Sequence, residues 1–479
     1  MAGRVEEFFK ACSQAGRVLA SHVESYGFIP IFTHDDPDGL TAGAIIGQAV
    51  RRLGGCFHIR VLDRVTEPLI REIEGSAGHS LYVFSEIGSG YVDLLKPLTS
   101  KGEILVLDHH KPLEDVEYPK LTHVNPHHYG IDGASEISGS AVCYFTARSI
   151  DSENVDLAPL AVIGALGDLQ DKDYGRKLAG LNLQVVEDAR EAGLLTVSTD
   201  LMFYGRETRP IHKAIASTMN PFIPGLSGAE DQCYGFLVNL GIKLRENERW
   251  RTPAELTHEE KEKIFSEITA YLASKGFKSA SIFQLIGEVY TLVQEDKLTP
   301  LRDGREYASL LNACSKMEKP GLALSLCFGE RGETLEEAQK LFNEYRRAIS
   351  EAINRLLEEK DRVKALENIY LVEGYGLVDE RKLSPVASLL SSSDTLGQDR
   401  PMMVVTETGE GEVKVSARTS RTLASRGVNL GEILRVAAEA VGGRGGGHSV
   451  AAGATLPREA FEEFLEKVKL MVGESLGKG

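Results

Sequence analysis

The segment FIPIFTHDDPDGL, residues 28–40, is the most informative stretch of the chain for its fold. Its first seven residues form a short apolar run rich in β-formers, which ends in polar residues before a helical pattern begins near Leu40. The same pattern of an apolar run followed by polar residues occurs in SLYVFSEIG (80–88) and EILVLDHH (103–110). Short apolar runs that alternate with helical patterns predict a doubly wound parallel sheet, and functional residues collect at the carboxyl ends of such strands.

His34, Asp36 and Asp38 alternate at the end of the first of these segments. Residues two apart on an extended stretch point the same way, so we expect one nitrogen and two carboxylates to face a common point. Carboxylate ligands combined with an imidazole suit Mn²⁺ or Mg²⁺. The alternative is an acidic loop between strand and helix in which Asp38 is the helix N-cap.

Two further motifs lie in the first 190 residues. Asp108, His109 and His110 come directly after an apolar run, and Asp168 follows the apolar stretch AVIGALG (161–167). Each motif is weak evidence by itself, because an aspartate at the end of a strand or helix is most often a cap.

The rest of the chain divides into a helical region and a second region with strands. The amphipathic pattern over 333–366 predicts a helix roughly 45 Å long, with Thr334 and Glu337 as a capping box. Strand patterns return in NIYLVEGYG (368–376), MMVVTET (402–408) and EVKVSART (412–419), and a helical pattern at 429–440 precedes a glycine cluster at 442–454. We therefore predict three domains, namely an α/β domain over 1–190, a mostly helical insertion with a linking helix over 191–365, and a smaller α/β domain over 366–479.

Composition restricts the class of protein. The 479 residues are 42% hydrophobic and 26% charged, as in a soluble globular protein. We expect a cytoplasmic protein, since we find neither a secretory signal nor an apolar run of about 18 residues. The six cysteines contain no CxxC pair, which argues against a zinc site or a disulfide framework. A net charge of −16 argues against a protein that coats duplex DNA, and suits metal-binding carboxylates or a basic partner.

Taken together, the motifs resemble those of the DHH phosphoesterase superfamily. They are HxDxDG at 34–39, DHH at 108–110, GD at 167–168 and GGGH at 445–448, with the SxR motif at 416–418. The last two resemble the DHHA1 domain of that superfamily. The helical insertion is similar to the one in archaeal RecJ-like proteins, including the GINS-associated nuclease, and in the related eukaryotic replication-helicase subunit. The resemblance thus implies a DHH catalytic domain, an insertion and a DHHA1 substrate-binding domain.

The resemblance also implies a two-metal site, with Mn²⁺ as the preferred ion and Mg²⁺ as the alternative. His34 and Asp36 would bind one ion, and Asp38 and His109 the other. Asp168 would complete the cluster, Asp108 would be a ligand or near-ligand, and His110 would orient a ligand or the phosphate. The catalytic residues implied in this way are Asp38, Asp108, His109 and His110. Glu86 stands where the family normally has a bridging aspartate in a D-x-G pattern, and Gly88 follows it as expected.

The glycine cluster is the expected phosphate-binding element. Gly445, Gly446 and Gly447 lack Cβ atoms, so their backbone N–H groups could approach a phosphate closely. The expected side-chain donors are Ser416, Arg418, Arg444 and His448. Residues 411–450 also carry six basic side chains against three acidic ones, which predicts an anion-binding face.

We expect a metal-dependent exonuclease that acts on single-stranded DNA or RNA, in DNA replication and repair or in RNA processing. The first alternative is a catalytically weakened scaffold subunit of such a complex, which Glu86 and the insertion favour. The second is an oligonucleotide or cyclic-dinucleotide phosphodiesterase. The expected partners are single-stranded nucleic acid and a GINS-type or RNA-processing protein. We also expect residues 216–330 to be removable without loss of dinucleotide hydrolysis.

Overall fold

The computed structural model describes residues 2–76, 78–112, 116–172, 175–218, 223–274, 283–392, 397 and 399–477. The chain forms two compact units, Met1–Phe342 and Asn343–Gly479. The finer division at residues 190 and 365 stays a prediction.

The first unit is built on a five-stranded parallel sheet, as predicted. Its strand order is β2-β1-β3-β4-β5, and the strands are β1 Phe28–His34, β2 Cys56–Leu62, β3 Leu81–Ser85, β4 Glu103–Leu107 and β5 Leu121–Val124. The strand order reverses between β1 and β3. In a doubly wound fold, the ligand crevice forms at such a point, outside the carboxyl ends of the strands. The predicted α/β fold class is therefore confirmed.

Alternate side chains of the sheet enter two apolar cores, because successive strand residues point to opposite faces. Ile31, Val83 and Leu105 enter one core, and Phe32, Phe84 and Val106 the other. The first core is covered by α1 Ala2–Tyr26, α2 Pro37–Arg52, α5 Gly139–Ile150, α6 Ala158–Gly167 and α7 Gly180–Glu191, and the second by α3 Glu67–Gly75 and α4 Val92–Leu95. Parallel sheets are normally buried on both faces, and here helices cover each face.

A third core lies in the inserted region. Strands β6 Leu195–Leu201 and β9 Ile286–Leu292 form an antiparallel pair that the sequence analysis did not predict. The residues between these strands build an apolar core of their own. Its elements are α8 Ile211–Ala216, α9 Glu230–Asn239, α10 His258–Ser274 and the short hairpin of β7 Arg245–Glu246 and β8 Arg249–Trp250. We call residues 203–285 the inserted domain.

The two helices that follow the inserted domain belong to the first core. Helices α11 Gly304–Lys316 and α12 Pro320–Cys327 contribute Tyr307, Leu311 and Leu326, all buried beside the sheet helices. Deleting 216–330 would remove these side chains from the core. Our expectation that this whole segment is dispensable is therefore wrong.

The helix α13 Glu333–Glu358 has 26 residues, which is about 39 Å at 1.5 Å per residue. Thr334 lies inside its first turn and not at the N-cap, so the predicted capping box with Glu337 is wrong. None of the helices in the described part of the chain is long and apolar enough to cross a membrane. Five of the six cysteines are buried and Cys56 is exposed, and all six are free thiols.

The second unit contains a mixed six-stranded sheet of order β10-β11-β12-β13-β15-β14. Its elements are β10 Val363–Ala365, β11 Tyr370–Glu373, α14 Leu383–Ser392, β12 Met402–Glu407, β13 Glu412–Arg418, α15 Arg421–Ser425, α16 Leu430–Glu439, β14 Arg444–Gly447, β15 Ala451–Pro457 and α17 Phe461–Gly477. The three predicted strands and the helix at 429–440 are confirmed. The glycine cluster is not a loop, since it forms most of the edge strand β14, which pairs with β15.

Candidate metal centre

The turn after β1 places its acidic residues differently from the extended arrangement that we predicted. The strand ends at His34, and Asp36 is the N-cap of α2, where its side chain accepts a hydrogen bond of 2.8 Å from the Gly39 N–H. The alternative in which Asp38 is the N-cap is therefore wrong. Asp38 lies in the first helical turn and is fully buried. A Cβ on Gly39 would lie 2.7 Å from the Cβ of His34, so the turn requires glycine there.

Asp38 points at the start of another helix. Its two carboxylate oxygens accept hydrogen bonds from the backbone N–H groups of Gly139, at 2.7 Å, and Ser140, at 3.0 Å. These residues open α5, and a helix N-terminus favours negative charge. Burial nevertheless raises the pKa of Asp38 to about 7, although His109 beside it lowers the value. The two N–H groups thus fix the Asp38 carboxylate in a buried space where its negative charge is only partly neutralised.

Glu86 follows β3 with a left-handed backbone, at a φ of 59°. Such a conformation costs a non-glycine residue about 1–3 kcal/mol and is typical of functional sites. The side chain is 1% exposed, with Oε2 3.2 Å from His34 Nδ1 and Oε1 3.4 Å from His109 Nε2. Gly139 leaves room for it, because a Cβ there would lie 2.8 Å from the Glu86 Cβ. Glu86 thus reaches from the end of β1 to the DHH motif.

The predicted ligands form two groups that meet at Glu86. His34, Asp36 and Glu86 form the first group, and Asp38, His109 and Asp168 form the second. In each group the nearest ligand atoms all lie within 4.8 Å of one another. A third set, Glu86 with His109 and His110, overlaps both. We call the first two sets the His34 group and the Asp38 group.

Several distances define these groups. His34 Nδ1 is 3.0 Å from Asp36 Oδ2. His109 Nε2 is 3.7 Å from Asp38 Oδ2 and 3.9 Å from Asp168 Oδ2. Asp168, the C-cap of α6, keeps about a third of its side chain exposed, at 34%. The centre therefore opens to solvent on the Asp168 side.

Three buried polar atoms face the two groups without a well-aligned hydrogen bond, although each lies within ion-pair distance of a side chain of the centre. They are His34 Nδ1, Glu86 Oε2 and His109 Nε2. Leaving one buried polar atom unsatisfied costs about 1–3 kcal/mol, so three that converge call for a ligand. Carboxylate oxygens and imidazole nitrogens are a donor set that suits Mn²⁺ or Mg²⁺, and a cation would offset the repulsion among the carboxylates. The residues present therefore fit a divalent metal centre.

The charges of the centre are strongly coupled. Burial alone would lower the pKa of His109, but the carboxylates of Glu86, Asp168 and Asp38 together raise it well above its ordinary value. Burial would raise the pKa of Asp36, yet His34 holds it well below its usual range. The carboxylates and imidazoles of the centre thus share protons in the space where a divalent cation would bind.

His109 is oriented by a backbone carbonyl. Its Nδ1 lies 2.6 Å from the oxygen of Gly133, and a carbonyl can only accept, so Nδ1 carries the proton. In the neutral form of the ring, which is the form that binds a metal, Nε2 directs its lone pair toward Glu86 and the Asp38 group. A Cβ on Gly133 would lie 2.9 Å from His127 Nε2 and closer still to the His109 oxygen, so this approach requires glycine.

Asp108 lies behind the centre. Its Oδ1 accepts from the His109 N–H at 2.7 Å and from His110 Nδ1 at 2.9 Å, and its Oδ2 accepts from the Ser89 N–H at 2.8 Å. Both oxygens are thus engaged, and the structure does not bring Asp108 into either group, which agrees with the near-ligand role expected of it and not with that of a ligand. Burial would lower the pKa of His110, but Asp108 raises it to about 9. His110 is 54% exposed.

The sequence analysis missed the polar residues that support the ligands. Gln170 and Asn182 are buried behind the Asp38 group, and Asn125 donates to the His110 carbonyl at 2.8 Å. Lys316 Nζ lies 2.8 Å from Asp35 Oδ2, beside His34. The one indication of these supporting residues in the sequence is that Gln170 lies two residues after Asp168.

In the second unit, Arg418 is a half-buried cation with neutral partners. Its guanidinium donates to the hydroxyls of Ser384 at 2.8 Å, Ser388 at 3.0 Å and Ser416 at 3.2 Å. Burial lowers the pKa of Arg418. Within the described part of the chain it forms no ion pair with a carboxylate, so its charge is available to an anion.

The three glycines of β14 have different surroundings. A Cβ on Gly445 would lie 2.6 Å from the Leu434 oxygen of α16, and one on Gly447 would lie 2.7 Å from the Ala451 oxygen. Packing therefore explains these two glycines. A Cβ on Gly446 would meet nothing within 4 Å, so this glycine faces open space.

The basic residues near β14 are not all available to an anion. Arg444 and His448 are exposed. Arg435, one of the six basic residues of the predicted anion-binding face, is paired with Glu432 at 2.7 Å and Glu439 at 2.8 Å along α16, and these carboxylates partly offset its charge.

Comparisons with known proteins agree with this architecture. Residues 203–286 match the DHH-CID domain and residues 372–474 match the DHHA1 domain. The uncharacterized protein MJ0831 of Methanocaldococcus jannaschii is 30% identical over 481 residues, which cover 99% of this chain and 100% of the relative.

Two solved structures have a similar fold. RecJ from Thermus thermophilus, in complex with Mn²⁺, superposes with a TM-score of 0.58 and 18% identity over 97% of this chain. The match spans about half of that RecJ, at 55% of its length. CDC45 from Entamoeba histolytica superposes with a TM-score of 0.64 and 12% identity, over 97% of this chain and 99% of CDC45. At these identities the likeness concerns the fold alone.

Proposed function

The chain belongs to the DHH superfamily and has a RecJ-like fold, and on this basis we propose that it is a metal-dependent exonuclease that hydrolyses single-stranded DNA or RNA. One observation carries the proposal. The His34 group and the Asp38 group converge on Glu86, and buried atoms of His34, Glu86 and His109 that form no well-aligned hydrogen bond face the same space. Such an arrangement suits the binding of two divalent cations.

The side chains divide between two ions. His34, Asp36 and Glu86 would hold one, Asp38, His109 and Asp168 the other, and Glu86 would lie between them. When bound, two such ions neutralise phosphate charge and acidify a water for attack on the phosphodiester. We propose Mn²⁺ as the preferred ion and Mg²⁺ as the alternative. The donor set supports this choice, as do the structures of Thermus thermophilus RecJ in complex with each of these ions.

The surrounding residues orient the groups that act on the phosphodiester. The N–H groups of Gly139 and Ser140 fix Asp38, and the Gly133 carbonyl fixes His109. Asp108 holds the ring of His110, whose exposed face can donate to a phosphate oxygen.

We propose that the second unit binds the phosphate backbone of the substrate. Arg418, which has only neutral partners, would contact a phosphate, and Ser416 would help to orient its guanidinium. Arg444, His448 and the open backbone at Gly446 would add donors, with Gly445 and Gly447 shaping the strand. Phosphate contacts of this kind follow the backbone and require no strict sequence preference.

A second candidate is a catalytically weakened subunit of a replication or RNA-processing complex. The strained backbone of Glu86, at a residue one methylene longer than the family's aspartate, favours it. The fold is also shared with CDC45. In this case the inserted domain would dock a GINS-type or RNA-processing partner. The complete set of converging ligands favours the nuclease instead.

The test is Mn²⁺-dependent degradation of end-labelled single-stranded DNA and RNA. Wild type is compared with Asp38→Ala, Glu86→Asp and the control Asp156→Ala, which removes an exposed carboxylate paired with Arg52. We expect wild type and the control to cleave and Asp38→Ala to be inactive, and the position of the label gives the polarity. A cyclic dinucleotide is added as competitor.

Three outcomes would count against the nuclease. Cleavage of the cyclic dinucleotide alone would assign the protein to small substrates. An inert wild type that Glu86→Asp activates would identify a weakened scaffold. A wild type and Glu86→Asp that are both inert on every substrate would refute the enzyme.

A further inference from the structure

We infer that Gln170 is a positioning residue for the Asp38 group, and that Asn182 fixes the direction of its amide. Gln170 is 3% exposed and Asn182 is 1% exposed, and both lie behind the ligands in the first unit. The inference rests on the proposed function, because it assumes that the Asp38 group binds a divalent cation.

One nitrogen of Gln170 serves two of the three ligands. Its Nε2 donates to Asp168 Oδ2 at 2.9 Å and to the Gly133 oxygen at 2.9 Å. The same Gly133 oxygen accepts the Nδ1 proton of His109 at 2.6 Å. Gln170 therefore holds Asp168 directly, and holds the carbonyl that sets the tautomer of His109.

The direction of the Gln170 amide follows from its neighbours. The oxygens of Gly133 and Ile137 can only accept, so the nitrogen of Gln170 must face them. Its oxygen then accepts from Asn182 Nδ2 at 2.6 Å. The other end of Asn182 is fixed as well, since its oxygen accepts from the Ser138 N–H at 3.1 Å.

The same chain of hydrogen bonds reaches the third ligand. Ser138 is the N-cap of α5, and the next two N–H groups of that helix hold Asp38. A buried line of hydrogen bonds, from Ser138 through Asn182 to Gln170, thus connects the supports of Asp38, His109 and Asp168. Buried networks of this kind are rigid only when every member has its partner.

Asn182 offers a sharp perturbation because, among the described residues, its side chain is hydrogen-bonded to Ser138 and Gln170 and to none of the three ligands. Asn182→Asp keeps the shape and the acceptor for the Ser138 N–H but replaces the donor to Gln170 by a second acceptor. At a pH where the new aspartate is ionised, the Gln170 amide must then turn its nitrogen toward that carboxylate. Its oxygen would face the Gly133 carbonyl and Asp168, so both supports would be lost without any change in a ligand.

The experiment is a Mn²⁺ titration of the full chain followed by electron paramagnetic resonance, which distinguishes free ions, single bound ions and spin-coupled pairs. The variants are Asn182→Asp and Gln170→Met. The matched controls are Asn154→Asp and Gln48→Met, which are also buried but belong to neither group. Near-UV circular dichroism verifies the fold of each variant.

We expect wild type and both controls to bind two ions with a spin-coupled signal. Asn182→Asp and Gln170→Met should bind one ion at wild-type affinity and the second about 10–100-fold more weakly, with the coupled signal lost. Two ions of unchanged affinity in both variants would overturn the inference and leave the metal centre standing. No binding to wild type would instead refute the proposed function. Should one variant not fold, the other, at a different residue, decides.

Discussion

Gly164→Ala is expected to damage the centre through a single methyl group. Gly164 lies on α6 where that helix crosses the start of α2. A Cβ there would lie 2.5 Å from Thr41 Oγ1 and closer still to Asp38 Oδ1 and Ser140 Oγ, whereas ordinary contacts begin at 3.4 Å. The neighbours must therefore yield by about 1 Å, and a misplacement of that size in a catalytic group costs about 100-fold in rate. Overpacking should also lower the free energy of unfolding by about 1–3 kcal/mol.

The assay for Gly164→Ala has three readouts: the rate of Mn²⁺-dependent oligonucleotide cleavage, Mn²⁺ affinity and urea unfolding. The matched control is Gly235→Ala on α9, where a Cβ would meet nothing within 4 Å. The control should cleave at the wild-type rate and gain about 0.5–1 kcal/mol from the better helix propensity of alanine. Wild-type cleavage and Mn²⁺ affinity in Gly164→Ala would refute the argument, because they would show that the helices separate without moving Asp38.

Three further expectations concern pH, the inserted domain and metal removal. Burial and the neighbouring Asp303 raise the pKa of Glu306 to about 8, so the folded state holds the carboxyl proton of Glu306 more tightly than the unfolded chain does. The free energy of unfolding therefore falls as the pH rises from about 4.5 to 8. Glu306→Gln should reduce the loss of unfolding free energy between pH 6 and 8 by about 2 kcal/mol, and an unchanged urea profile would contradict this. Residues 203–284 should be replaceable by an Asn-Gly turn, because the Met202 N–H already donates to the Leu285 oxygen at 2.8 Å beside the ends of β6 and β9. A folded variant that cannot hydrolyse a dinucleotide would disprove this expectation. Mn²⁺ at 100 times its Kd should stabilise wild type by about 2.7 kcal/mol for each bound ion, and a chelator should reverse the gain. In a thermal unfolding scan, Asp38→Ala should keep only the gain from the ion of the His34 group.

The strands that the sequence predicts in the first unit are those buried on both faces. β1, β3 and β4 are almost wholly buried, and buried parallel strands appear in sequence as continuous apolar runs. β2 CFHIRVL is an edge strand with partly exposed side chains, and β6 LTVSTDL is mostly polar. Neither has a continuous apolar run, so tertiary pairing and not local pattern makes them strands.

The ligand set of the candidate centre could be proposed from sequence because short motifs contain it. The supporting residues could not, because a buried Gln170 or Asn182 has the same local sequence character as a surface amide. Only the approach of segments far apart in the chain places Gln170 beside Gly133 and Asn182. Asp108 shows the converse, since adjacency to His109 in sequence does not decide which side chain faces the metal site.

The glycine cluster illustrates a conflict between propensity and packing. Glycine disfavours strands, so three in succession indicate a loop. In the fold, α16 lies so close to β14 that Gly445 has no room for a side chain. Pairing with β15 then stabilises a strand that composition alone does not predict.

The left-handed Glu86 completes a candidate ligand set that comes from four separate segments of the chain: the end of β1, the end of β3, the DHH turn and the end of α6. Bringing them together closes loops of about 20 to 60 residues, whose conformational entropy is lost only when the whole sheet has formed. No partly folded form of this unit would offer the complete ligand set. A divalent ion bound there would therefore raise the free energy of collective opening of β1, β3, β4 and α6, and the amide hydrogens of these elements would exchange more slowly together.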